Sequence, residues 1–462
     1  MTALHDLSAH DLWLAYRTGR LSPVEVTKAV LKRIEAWEPK INAMYITDAE
    51  GALKAARASE QRWRKGEQLS PLDGVPITIK DNIGTKGWPA PIGTAAGDLS
   101  PGPVDAPPTA RVREAGCVIL GKTTMPDFGM LASGVSSLHG ISRNPWNTAR
   151  NTAGSSSGAG AALAAGYGPL ALGTDIGGSV RLPAAYNGVF ALKPSLGRVP
   201  INPPWLGRVT GPMSRTVMDT ALLMNHLTRP DPRDYMALPY QEADYPKLLG
   251  GEAKGKRIGL LLDIGVGMPL QPAIRDAIER AAKLFEAAGA IVEPVKPFLT
   301  ATMTQGLDSV FRARAWADFE QMPPERQARV LPFIAEWCRT AKDMTAAEAM
   351  RGLGQVFALR EATVNACEPY DFVLSPTSPI TAYAAEEACP GNDLEHPFDH
   401  LVFTAPFNMS EQPAASICAG YDGEGLPIGL QIIGHRFDDI GVLRMAAIFE
   451  EIRPALRPWP EP

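Results

Sequence analysis

Residues 151–181 read NTAGSSSGAGAALAAGYGPLALGTDIGGSVR. A serine-and-glycine cluster, Gly154-Ser155-Ser156-Ser157-Gly158, stands ahead of a turn, Asp175-Ile176-Gly177-Gly178-Ser179, with small residues between them. From Asn151 to Thr174 no charge occurs, but the run is mostly Gly, Ala and Ser and contains Pro169, so its apolar content is too low for hydrocarbon. It reads as a buried, tightly packed element. Two glycines directly before a serine remove the side chains that would hold a substrate away. Backbone N–H groups of such a turn can converge on the oxygen of a carbonyl that the serine attacks. The stretch is suited to acyl chemistry.

Working outward, Ser22-Pro23-Val24-Glu25 has the pattern of a capped helix start, with a helix expected to about Trp37. Gly74–Lys80 alternates β-branched residues like a short strand ending at Lys80. Helix Thr109–Ala115 leads into a buried strand at Cys117–Leu120. Arg257–Leu262, Phe372–Leu374, Ala415–Cys418 and Leu430–Ile433 are further strand candidates, with helices at Ala273–Ala288 and Ile440–Ile452. Strands alternating with helices predict an α/β layered fold. Residues 297–365 read as mostly helical and are the candidate insertion shaping the substrate mouth. No internal repeat or long linker interrupts the 462 residues, so one domain is expected over 1–462: a helical N-terminal part to about 70, a core at 71–225, and a return to the core over 366–455.

With 45% hydrophobic and 21% charged residues the composition is that of a soluble globular chain. A net charge of −5 gives no basic footprint for nucleic acid and no polybasic membrane patch. The first 23 residues carry acids and histidines where a signal peptide needs an apolar run. Five scattered cysteines (Cys117, Cys338, Cys367, Cys389, Cys418) with no CxxC pair suit reduced thiols. A cytoplasmic location follows as an expectation.

Two short motifs invite other readings. Gly116–Thr123 fits the phosphate-loop expression GxxxxGK[ST], but its intervening Cys-Val-Ile-Leu belongs in a core strand rather than an anion cradle. Gly154–Gly158 fits GxSxG, which would make Ser156 a nucleophile. That reading needs a preceding strand, where Pro145–Asn151 is loop-like, and a downstream histidine, where His396, His400 and His435 sit in surface-loop contexts. A constellation without histidine is more coherent: Ser179 as nucleophile, Ser155 as relay and Lys80 as base. A lysine acts as base only when neutral, which requires desolvation, and Val75–Ile79 could supply it. No SxxK tetrad occurs in the chain.

GVPITIKDNI at 74–83, the block at 154–160 and LGTDIGGSVRLPAAYNGVFALKPSLGRVP at 172–200 are joined by GKTTMPDFGM (121–130), RNPWN (143–147), GPMSRTVMDTALLM (211–224) and GLPIGLQIIGHRFDD (425–439). Together these blocks resemble the amidase signature family, nearly end to end. The resemblance implies a central mixed β-sheet surrounded by helices and a Ser–Ser–Lys triad. By position, Ser179 attacks the carbonyl; Ser155, on a cis peptide bond, passes the proton to Lys80, which returns it to the leaving nitrogen. Ile176, Gly177, Gly178 and Ser179 would supply oxyanion N–H groups, each such donor being worth about 3–4 kcal/mol of barrier. Gly129 and Met130 would line an apolar pocket, and no metal or organic cofactor is implied. Asp175 and Arg181 bracket the nucleophile and read as a structural charge pair. The family's GGSSGGS is altered here at Ala153, Ser157 and Ala159.

One branch of the family, the glutaminase component of a tRNA-dependent amidotransferase, reads glutamine with an acid and an arginine in its C-terminal half. The acid lies a few residues before the Thr of a TxPxNLAG segment. Here Leu401-Val402-Phe403 precede Thr404 and leave Asp399 out of place, and the branch's arginine-rich helix is replaced near Met350–Gly354. The expectation is therefore a stand-alone hydrolase of small amides, aryl or hydrophobic ones favoured, with esters or carbamates (urethanes) suited to the same machinery. It would be a monomer or homodimer without nucleic-acid or membrane partners. The alternatives are the amidotransferase glutaminase and a non-catalytic binding relative. The latter is disfavoured because Lys80, Ser155 and Ser179 are all present.

Overall fold

Short apolar runs bounded by glycine and proline form the strands of one eleven-stranded mixed sheet in the computed structural model, which describes residues 3–462. In chain order these are β1 (Met44–Thr47), β2 (Pro76–Lys80), β3 (Val118–Thr123), β4 (Leu170–Asp175), β5 (Phe190–Lys193), β6 (Val209–Ser214), β7 (Arg257–Leu260), β8 (Ile291–Pro294), β9 (Phe372–Pro376), β10 (Ala414–Tyr421) and β11 (Pro427–Ile433). Their spatial order is β1-β3-β2-β4-β6-β5-β10-β11-β9-β7-β8. β2 runs parallel to both β3 and β4, and β7 parallel to β8 and β9. The pairs between β4 and β9 through the middle of the sheet are antiparallel. Central strands buried on both faces need not alternate, which is why β2 and β3 are legible from composition, whereas β4, within the Gly/Ala-rich stretch read only as a buried element, is revealed by its pairing.

Helices cover the sheet. Pro23–Ile41 begins at the expected capping box of Ser22 and Glu25 and continues past Trp37 through Pro39, to end at Asn42 in left-handed conformation. Pro272–Ala287 and Asp439–Ile452 occupy the anticipated places. The largest apolar cluster takes side chains from Ala9 to Phe449, so both chain ends contribute to one core. Gly116–Thr123 contains the fully buried strand β3, not a phosphate loop. Residues 297–365 are largely helical, as Ala301–Glu320, Pro324–Gln327, Pro332–Arg339 and most of Ala346–Cys367. The expected loop at Pro145–Asn151 is partly a strand: Asn147–Asn151 pairs with Arg143–Asn144 in a separate two-stranded ladder. Its polar, mostly exposed side chains show no period-two pattern, so only the backbone pairing reveals it. All five cysteines are buried and unpaired, and no described helix is long and apolar enough to cross a membrane.

Gly121, inside β3, has φ +152, and a Cβ there would run into the carbonyl oxygen of Ile46 on the neighbouring edge strand. Gly121→Ala is expected to cost roughly 1–3 kcal/mol by forcing β1 away. The urea midpoint measures it, and an unchanged midpoint would mean that β1 contributes nothing to stability.

Candidate active site

Parallel pairing of β2 with β4 aligns Ile77 with Leu170 and Ile79 with Leu172, so both strands end at the same edge of the sheet. Lys80 closes β2, and Thr174 and Asp175 close β4. The small residues that follow the serine cluster let helix Ser157–Ala165 lie against β2, β3 and β4. A Cβ on Gly158 would overlap the Thr124 side chain and the Ala43 carbonyl, so larger residues would push the serine cluster off the sheet.

The Lys80 side chain is fully buried. Its Nζ donates to Ser155 Oγ at 2.8 Å and to Thr174 Oγ1 at 3.0 Å. Burial draws the lysine down to about 7; Arg208 pushes the same way, while Asp175 and Asp81 oppose it. Two other buried lysines have similarly lowered values, Lys122 at about 8 and Lys193 at about 7, again chiefly through burial. Their ammonium groups donate to backbone carbonyls: Ile83 and Pro89 for Lys122, Pro194 for Lys193. Lys80 alone among the three touches a serine.

The Gly154–Ser155 peptide bond is cis. Ser156 N–H donates to the Ser179 carbonyl at 3.1 Å, which fixes the two serine segments against each other. Ser179 is 9% exposed and faces a cavity of about 450 Å³. Ser156 Oγ instead donates to the Thr174 carbonyl at 3.3 Å, packed against Gly173 and away from that cavity. The elbow reading of Ser156 therefore fails on direction. Ser157 Oγ donates to the Thr124 carbonyl, a structural bond that ties helix Ser157–Ala165 to the end of β3.

The turn that presents Ser179 is organised by the Asp175 carboxylate, which accepts from Gly178 N–H at 2.8 Å and Val180 N–H at 3.1 Å. This corrects the expected donor set. Gly178 N–H is already committed to Asp175, which leaves Ile176, Gly177 and Ser179 as the candidate oxyanion donors. Gly178 has φ +129, and a Cβ there would overlap Thr404 Oγ1, so glycine is required for conformation and for space. Asp175 is paired with Arg181 through Nε at 3.0 Å and Nη2 at 2.9 Å, both side chains fully buried. Burial pushes the Asp175 carboxyl up, but the Arg181 guanidinium and the Asn408 amide outweigh it and hold it well below the usual carboxylate range.

The cavity is walled by Gly129, Met130 and Leu131, by Leu182, and by later segments including Leu307, Phe311, Leu359, Leu401 and Val402. Gly129 and Met130 line this cavity, and so do Leu307, Phe311 and Leu359 from the segment 297–365. Asp399, read as out of place from the sequence, also stands in the wall, its carboxyl raised by burial. His400 departs from the surface-loop expectation as well. It is buried, both ring nitrogens lack partners among the described residues, and burial lowers it to about 3, a neutral ring edge-on to Tyr383 at 5.9 Å. His396 is exposed beside Asp393, and neither histidine approaches Ser156 by hydrogen bonding. Thr174 and Asn82 were not anticipated. Thr174 Oγ1 accepts from both Lys80 Nζ and Asn82 Nδ2, the latter at 3.1 Å, so together they aim the amine. The strand end after Lys80 was the available signal, since parallel neighbours place β4's last residues beside it.

The family model described as Amidase matches residues 25–443. A glutamyl-tRNA(Gln) amidotransferase component from Chloroflexus aggregans is 34% identical, covering 98% of this chain and 97% of that protein. An acylamidase of Rhodococcus erythropolis is 32% identical, over 98% of this chain and 96% of that one. The crystal structure of a bacterial aryl acylamidase of the amidase signature family superposes with a TM-score of 0.91 at 30% identity, covering 98% of each chain.

Arg181→Met would strand Asp175 as an unpaired buried charge. A loss of about 3–5 kcal/mol in denaturant unfolding is expected. A loss under about 1 kcal/mol would show that the turn is anchored by something else.

Proposed function

We propose that this chain, which belongs to the amidase family and is an amide-hydrolysing enzyme, works as a stand-alone serine hydrolase with Ser179 as nucleophile, Ser155 as relay and Lys80 as base and acid. The observation that carries the reading is the 2.8 Å bond from Lys80 Nζ to Ser155 Oγ, in a site where burial brings the lysine near neutrality. Ser179 Oγ attacks the carbonyl carbon as Ser155 takes its proton and gives its own to Lys80. Negative charge gathers on the carbonyl oxygen against N–H groups of Ile176, Gly177 and Ser179. When the tetrahedral species collapses, Lys80 returns the proton through Ser155 to the leaving nitrogen. Water then attacks the acyl-enzyme by the same relay in reverse.

The apolar wall of Met130, Leu131, Leu307, Phe311, Leu359 and Leu401 favours an aryl or hydrophobic amide. The acylamidase and aryl acylamidase similarities point the same way. Esters and carbamates offer the same electrophile to the same groups. A second reading, the glutaminase component of an amidotransferase, has two specific supports: the 34% identity to such a protein and the presence of Asp399 in the wall. Leu401, closer to Thr404, lines the same wall as an apolar side chain and favours the first reading.

Ser179→Ala should abolish anilide hydrolysis and labelling by a fluorophosphonate, read by intact mass, with the fold retained. An adduct that survives the substitution would place the nucleophile elsewhere. Lys80 must be neutral to act, and its value is lowered, so kcat/KM should rise tenfold per pH unit below about 7 and level off above it. A flat profile from about pH 5.5 to 8.5 would remove Lys80 as base. Release of ammonia from free glutamine at a higher kcat/KM than aniline from an anilide would favour the second reading.

A further inference from the structure

Arg208 stands one residue before Val209, which the ladder pairs with Asp175, so it lies beside the start of the nucleophile turn. Its guanidinium has five N–H donors and, among the described residues, makes a single hydrogen bond, Nη1 to the Pro203 carbonyl at 2.6 Å. It is only partly accessible, and no carboxylate is among the charges that act on it. The Arg208 backbone N–H donates to the Trp205 carbonyl at 3.0 Å, and Arg314, on helix Ala301–Glu320, lies over the ring of that same Trp205 at 4.1 Å and donates to no acceptor among the described residues. Trp205 in turn faces Phe311 at 6.3 Å, and Phe311 lines the substrate cavity. Arg312, two residues away on the same helix, shows what an engaged arginine looks like here: it bonds Asp308, Thr340 and the carbonyls of Leu394 and Glu395.

Two half-buried guanidiniums near each other, without a counterion, are unfavourable in the empty protein. Burial first, and then the charge of Arg314, lower Arg208 to about 10, a group still cationic at neutral pH. Asp318, the acid acting on Arg314, is exposed and does not pair with it. A planar fork with free donors matches a carboxylate bidentately, and a stacked guanidinium is already oriented for that contact.

We infer that Arg208 and Arg314 form a carboxylate-binding subsite beside the Phe311 wall of the substrate cavity, so that the preferred amide carries a carboxylate away from the scissile bond. The apolar wall then holds the chain or ring between amide and carboxylate, and the arginine pair fixes its far end. This inference rests on the cavity beside Ser179 being the substrate's.

Two matched pairs of anilides test it, one with the charge on the acyl side (glutaric monoanilide against hexananilide), one with it on the amine side (4-butyramidobenzoate against 4-butyramidotoluene). The expected result is a kcat/KM ratio of tenfold or more for the anionic member of one pair. Arg208→Gln and Arg314→Gln should each collapse that ratio, and Arg208→Lys should keep part of it. The ratio is the proper readout because Arg208 also acts on Lys80, an effect that both members of a pair share and that cancels. No preference in either pair, or a ratio unchanged in both glutamine variants, overturns the inference. Calorimetry of the same four compounds with Ser179→Ala protein separates the two proposals. Binding of an anionic probe that is lost on adding Arg208→Gln sustains the subsite even if hydrolysis by Ser179 fails, whereas equal binding of charged and neutral members overturns it.

Discussion

The buried pair of Asp175 and Arg181 is the constraint on which the site depends. Two charges withdrawn from water are tolerable only when every lone pair and proton finds a partner. Here they do. Arg181 reaches the Thr404 carbonyl at 3.0 Å, Gln431 Oε1 at 2.8 Å and Asn408 Oδ1 at 2.5 Å in addition to Asp175. Asn408 Nδ2 returns a bond to Asp175 at 2.9 Å. The carboxylate spends its remaining capacity on Gly178 and Val180 N–H, which bends the chain so that Ser179 faces the cavity. One ion pair thereby couples the end of β4 to β11 and to the segment Thr404–Asn408, more than two hundred residues further on.

One member of that pair also acts on the lysine. Asp175 draws Lys80 toward the charged form and Arg208 toward the neutral one, while burial outweighs both. Burial alone does not make a base, since Lys122 and Lys193 are buried and comparably lowered yet only bind carbonyls. What singles out Lys80 is its neighbour across a parallel ladder. Alignment of β2 with β4 puts the amine within reach of Thr174, and the cis Gly154–Ser155 segment places a second hydroxyl on it.

The proposed catalytic groups come from the first half of the chain, whereas much of the cavity wall comes from the second. Leu307, Phe311 and Leu359 belong to two long helices, Ala301–Glu320 and Ala346–Cys367, that pack on each other. The nucleophile turn and this wall meet where Thr404 Oγ1 donates to the Gly177 carbonyl at 2.6 Å.

The sequence by itself determined the α/β class, the strands β2, β3, β7, β9, β10 and β11, and the glycine-flanked turn that carries Ser179. These are local properties: continuous apolar runs for strands buried on both faces, and glycine where the chain must turn without a side chain. Tertiary structure decided which groups were already spent and which were free. Gly178 N–H is taken by Asp175, Ser156 turns away, His400 is buried, Thr174 aims the lysine, and Arg314 stacks on Trp205 close to Arg208. No motif could show this, because a donor's availability depends on what the rest of the chain brings within about 3 Å of it, and that is fixed by packing between segments distant in sequence.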